Sequence, residues 1–151
     1  MTTEPGIDDL YREVILDHFR NPRHPGRVED PDVGARGSNP LCGDELDVTL
    51  RIRDRTIVEI RTQGKGCSIS QATASMLTEV VSGKTLDETR ILVDAFKGVM
   101  QGGAEVDSWP ELMDDLRSLE GVRRYPVRIK CALLPWDALL AALDAYEETR
   151  T

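Results

Sequence analysis

Three cysteines stand where the surrounding residues favour thiolate chemistry. Cys42 lies in Asn39-Pro40-Leu41-Cys42-Gly43-Asp44, Cys67 in Gly64-Lys65-Gly66-Cys67-Ser68-Ile69-Ser70, and Cys131 in Val127-Arg128-Ile129-Lys130-Cys131. Asp44 makes a fourth donor, and the set suits a tetrahedral metal or a sulfur-handling centre. An odd number of cysteines argues against a closed disulfide framework.

The local chemistry differs at each thiol. Gly43 separates Cys42 from Asp44 and lets the backbone turn so that both side chains face one point. Cys67 lies between a glycine-rich turn and an expected helix start. Free N–H groups and a partial positive charge at that end favour thiolate over thiol, and Lys65 adds to the field. Cys131 follows Arg128 and Lys130, again a setting that favours an anion.

Each residue also has a plainer reading. A lone cysteine is more often a small buried apolar residue than a ligand, and Asp44 alone would be an ordinary turn residue. The shared glycine and lysine contexts favour a joint role. The two histidines read as decoration, His18 on the first helix and His24 in a surface turn. Trp109 and Trp136 read as packing residues. Arg123, Arg124, Arg128 and Lys130 form a basic cluster in an acidic chain; such a cluster is usually a solvated face, but here it can steer an acidic partner toward Cys131.

The elements that must position these residues follow from pattern. Asp8 to Phe19 reads as a helix with Leu10, Val14 and Ile15 at helical spacing and Asp8 as its cap, ended by Asn21-Pro22-Arg23-His24-Pro25-Gly26. A polar connector holds a short edge strand near Val33 to Gly37. Glu45 to Arg53 alternates, with Leu46, Val48, Leu50 and Ile52 on one face. Asp54-Arg55 turns the chain into a second strand, Thr56 to Gln63, with Val58 and Ile60 inward. The two ends of that antiparallel hairpin lie side by side, so Cys42 and Asp44 before it can meet Cys67 after it.

Helices fill the remainder. Ser70 to Ser82 is stopped by Gly83, and the capping box Thr85-x-x-Glu88 opens a helix through Lys97 that Gly98 ends. A second box at Ser108-Trp109-Pro110-Glu111 opens a short helix through Leu119 ending at Gly121. Asp137 to Glu147 is the last, with Pro135 near its start. The order predicts an α+β fold, a small antiparallel sheet of about three strands with helices packed on one face.

At 151 residues the chain fits a single domain, residues 1–151, long enough to bury a core without a staple. Aromatic residues are only 5 %, so that core must lean on aliphatic side chains. The formal net charge of −8 speaks against nucleic-acid binding and against docking on anionic membranes. No apolar run approaches the ~20 residues that span a bilayer. Free thiols behind an N-terminus without basic or apolar signal character predict a cytoplasmic, reducing location.

The three cysteine motifs, taken in order, resemble the IscU/NifU-like family of iron–sulfur cluster assembly proteins. Tyr11 to Gly26 is similar to that family's opening helix and turn, and the resemblance runs from about residue 8 to 147. Lys130 stands where the IscU branch usually has histidine. Residues 98–121 look like an insertion typical of the SufU branch, and Arg128-Ile129-Lys130-Cys131-Ala132 matches its pattern.

The SufU resemblance implies a Zn²⁺ site of Cys42, Asp44, Cys67 and Cys131. It implies sulfur transfer: a pyridoxal-phosphate cysteine desulfurase (SufS-like) makes a persulfide, and Cys42, released by exchange of a metal ligand with the desulfurase, accepts the outer sulfur for downstream cluster-assembly proteins. Arg128 and Lys130 would help dock the desulfurase. The alternative is a scaffold that builds a transient [2Fe–2S] cluster on the same ligands and passes it on. A structural zinc domain with a protein-binding face is the third reading.

Overall fold

The computed structural model describes residues 7–40 and 43–149, and of residues 7–11 the backbone alone. Leu41 and Cys42 lie outside the described residues, as does the Leu10 side chain. The order is α1 (Ile7–Arg20), β1 (Val33–Asn39), β2 (Asp44–Arg53), β3 (Thr56–Lys65), α2 (Ser68–Val81), α3 (Leu86–Met100), a single 3-10 turn (Val106–Ser108), a longer 3-10 stretch (Glu111–Arg124) and α4 (Pro126–Glu148). Helix α1 begins before Asp8, which therefore sits in the first turn rather than capping it.

The strands form one antiparallel sheet in the order β1-β2-β3. Alternation in β2 buries Leu46, Val48, Leu50 and Ile52 on one face, against which the helices pack. Asp54 and Arg55 both take positive φ, 50° and 57°, the conformation of a two-residue hairpin turn whose twist matches the strands. The expected inward Val58 is wrong: it is 48 % exposed, while Ile57 and Ile60 are buried. The register jumps there, with Arg51 opposite Glu59 but Ile52 opposite Ile57. Val58 is the extra residue of a β-bulge, which reverses the alternation on its near side.

Three helix boundaries also differ from the pattern reading, and packing explains each. Helix α3 runs past Gly98 to Met100 because Val99 and Met100 are buried; the chain turns instead at Gly102, with φ 84°. Ser108 caps no helix, its hydroxyl donating to the Glu105 carbonyl, and the expected short α-helix is a 3-10 stretch that continues to Arg124. Its buried apolar residues, Met113, Leu116, Leu119 and Val122, recur every three positions and align on one stripe when a turn holds three residues. Helix α4 begins at Pro126, eleven residues before Asp137, and carries Pro135 in its interior. Proline costs that helix the N–H owed to the Cys131 carbonyl. The helix persists because Ala132, Leu133, Leu134, Trp136 and Leu139 are all buried around it. Both tryptophans pack as expected, stacked on Phe96 with centroids at 5.8 Å and 4.3 Å.

Close approach of α4 to the sheet sets the position of Cys131. A Cβ on Gly37 of β1 would stand 2.9 Å from Leu134 Cδ1 and 3.4 Å from Ala138 Cβ, so a side chain there would press on α4 and Leu134 would have to shift. No helix among the described residues is long and apolar enough to cross a membrane.

Candidate metal centre

Asp44 opens β2 and Cys67 follows β3, and the pairing of Glu45 with Lys65 brings these two hairpin ends together. Cys131 arrives from the second turn of α4, opposite Asn39 at the end of β1. One ligand atom from each of Asp44, Cys67 and Cys131 lies within 4.8 Å of the others. Asp44 and Cys131 are buried and Cys67 is partly exposed, so the centre is closed on the protein side and open past Cys67.

Each described ligand is held by a neighbour. The Cys67 N–H donates to Asp44 Oδ1 at 2.8 Å. Cys67 is itself the N-cap of α2, its Sγ accepting from the Ser70 N–H at 3.5 Å, and the helix terminus adds partial positive charge. Asn39 Nδ2 donates to Cys131 Sγ at 3.7 Å. Gly66, at φ 148°, makes the turn fit, since a Cβ there would land on the Asp44 carboxylate.

The donor chemistry fits zinc. Cys67 Sγ lies 3.8 Å from Asp44 Oδ2; sulfur and oxygen at ordinary zinc bond lengths and a tetrahedral angle stand about 3.5 Å apart. Two thiolates beside a buried carboxylate would concentrate negative charge that a divalent ion offsets. The fourth expected donor, Cys42, and its expected role as sulfur acceptor lie outside the described residues. It precedes Asp44 by two residues, a span of at most about 7 Å along extended chain.

A NifU-like N-terminal domain model matches residues 10–151. The chain belongs to this family. The NifU-like domain is 39 % identical over 139 residues to the zinc-dependent sulfurtransferase SufU of Bacillus subtilis strain 168, covering 92 % of each chain. It is 36 % identical to the iron–sulfur cluster assembly scaffold protein IscU of Streptococcus pyogenes serotype M1, over 91 % of this chain and 84 % of the relative. In three dimensions it superposes on the N-terminal part of a nitrogen-fixing NifU-like protein from Brucella abortus with TM-score 0.84 and 30 % identity, covering 94 % and 97 % of the two chains. The antiparallel sheet with helices on one face is thus the family's fold, and the chain shares its family with proteins named for iron–sulfur cluster assembly.

Other expected site residues fall nearby. Arg128 and Lys130 occupy the first turns of α4 and are exposed. Lys65 pairs its ammonium with Glu45 at 3.5 Å on the exposed surface. His18 does not decorate the first helix but is buried, 1 % exposed, with Nδ1 2.7 Å from Ser75 Oγ and Nε2 2.8 Å from Asp115 Oδ2. It ties α1 and α2 to the 3-10 stretch. His24 lies in the turn, against Thr78 Oγ1 at 3.0 Å. Sequence reasoning did not assign Asn39 and Ser70 a role; the only signal for either was its place inside a cysteine motif.

Proposed function

We propose that this NifU-like domain is a zinc-dependent sulfur acceptor. It takes the terminal sulfur of a persulfide made by a pyridoxal-phosphate cysteine desulfurase and passes it on for iron–sulfur cluster assembly. The observation that carries the reading is the gathering of Asp44, Cys67 and Cys131 donor atoms within 4.8 Å. Similarity to the zinc-dependent SufU and the lysine before Cys131 support it.

Cys42, Asp44, Cys67 and Cys131 would hold the metal. Zinc, when bound, keeps thiols as thiolates at neutral pH. With all four ligands bound the site would be closed to attack, so one of them would have to detach. Cys67 and Cys131 each accept a hydrogen bond from a fixed donor, Ser70 N–H and Asn39 Nδ2, and stay. Asp44 is fixed through Oδ1. Cys42, next to Gly43 with its positive φ of 68°, would be the thiol that detaches.

The Cys42 thiolate then attacks the outer sulfur of the donor persulfide. A new S–S bond forms at Cys42, the donor's S–S bond breaks, and the donor cysteine departs as thiolate. The sulfane sulfur carries its proton across, and no net oxidation occurs. Arg128 and Lys130 help seat the donor. Substituting Cys42 by Ala should abolish sulfur acceptance from a desulfurase; normal acceptance would refute the assignment.

The second reading, a scaffold for a transient [2Fe–2S] cluster, is favoured by similarity to the Streptococcus pyogenes IscU. Metal analysis after anaerobic purification separates the two. Zinc near one per chain without a chromophore supports transfer, and iron with matching sulfide supports the scaffold.

A further inference from the structure

More than half of the described arginines are in ion pairs. Arg36, Arg53, Arg90 and Arg117, for example, each meet a carboxylate within 3.2 Å. Arg12, Arg123, Arg124 and Lys130 are different: among the described residues none of the four makes an ion pair or side-chain hydrogen bond. All four border two open cavities of about 1000 and 670 Å³ on either side of the N-terminal end of α4, and the cavities share Gly121 and Arg124.

The joined trough is basic and partly apolar. Counting Arg128, five cations line it among the described residues against one carboxylate, Glu120, on a chain whose net charge is −8. Ile15, Ile69 and Leu133 contribute apolar floor, while Tyr125 and Val127 at the head of α4 are 61 % and 55 % exposed. Its outer wall is the end of the 3-10 stretch. The trough also adjoins the metal centre along the chain: Ser68 and Ile69 directly follow Cys67, and Lys130 directly precedes Cys131.

We propose that this trough is the docking groove for an acidic segment of the sulfur-donating protein, one that carries carboxylates and at least one apolar side chain. The inference rests on the reading of the chain as a sulfur acceptor. Cations spaced by apolar surface match such a segment in both respects, and complementary charge speeds encounter and fixes register. A nucleic-acid backbone would match the cations but be repelled by the rest of the surface. Docking here sets the donor beside the open side of the centre and gives the Glu111–Arg124 stretch a function: its C-terminal end supplies Arg123 and Arg124.

The test uses the full chain with Arg123→Glu and Arg124→Glu together, and a milder pair, Arg123→Gln and Arg124→Gln, should the first fail to fold. Zinc content and melting temperature confirm an intact protein. Binding to a cysteine desulfurase is measured by calorimetry at low and moderate salt. The groove predicts at least a tenfold weaker Kd for the glutamate pair at low salt and a flatter salt dependence for both pairs. An unchanged Kd and salt slope in a folded, zinc-loaded variant overturns it, as does tighter binding of wild type to single-stranded RNA than to the desulfurase. Sulfur acceptance by wild type from a low-molecular-weight persulfide is measured separately; its failure strikes the sulfur-acceptor reading, while the binding comparison still decides the groove.

Discussion

The backbone N–H of Cys67 donates to Oδ1 of Asp44 at 2.8 Å, joining the two open ends of the β2–β3 hairpin through a residue expected to bind metal. One carboxylate oxygen is thereby fixed to the chain, and the other, Oδ2, faces the Cys67 sulfur at 3.8 Å. Asp44→Asn retains an oxygen for the Cys67 N–H but removes the charge, so zinc affinity should fall while the fold holds. Asn39→Ala, which removes only the donor to Cys131 Sγ, should weaken zinc by about 10–100-fold, as is usual for a group that orients a ligand. Competition against a chromophoric chelator measures both, and wild-type affinity in Asn39→Ala would show that the hydrogen bond does not position Cys131.

Gly66→Ala tests the turn that admits Asp44. The new methyl would strike the Asp44 carboxylate and demand a positive φ of an alanine. The expected cost is about 1–3 kcal/mol of stability from overpacking, with backbone strain in addition. Denaturant unfolding reads it, and a loss well under 1 kcal/mol would mean that the loop accommodates the side chain freely.

The bulge at Val58 makes neighbouring residues unequal. Ile57→Ala should cost about 2–5 kcal/mol, the range for a buried aliphatic side chain, because Ile57 is fully buried. Val58→Ala, on the exposed face, should stay within about 0.5 kcal/mol. Equal losses would place the strand in the unbulged register.

Helix α3 carries a pH-dependent contribution. Hydrogen bonds from the backbone and side chain of Thr85 hold the Glu88 carboxyl below its ordinary value of 4.5. A depressed folded-state value means that the stabilisation is present above pH 4.5 and is lost as pH falls through the folded value. Melting temperatures of wild type and Glu88→Gln should therefore differ above pH 4.5 and converge in more acidic solution. A gap that persists unchanged in acid would contradict the capping-box account.

Much of this fold was legible because its signals are local. Alternation gave β2, Thr85 and Glu88 gave the start of α3, and hairpin geometry alone predicted that Asp44 and Cys67 would meet. What the sequence hid depends on contacts distant in the chain. Pro135 reads as a helix boundary until the buried residues around it are known, and Val58 reads as inward until the register is seen. The three-residue repeat of Met113, Leu116, Leu119 and Val122 was visible but passed for α-helical. His18 looked like surface because its partners, Ser75 and Asp115, lie 57 and 97 residues away.

If Cys42 detaches while Asp44, Cys67 and Cys131 go on holding the ion, Cys42 is the thiol that takes up sulfur. Mass spectrometry of proteolytic fragments, after incubation of the zinc-loaded protein with a cysteine desulfurase and cysteine, locates the added sulfur. One added sulfur atom is expected on the Cys42 fragment, with Cys67 and Cys131 unmodified. Sulfur found on either of those cysteines instead, or on none of the three, would contradict it.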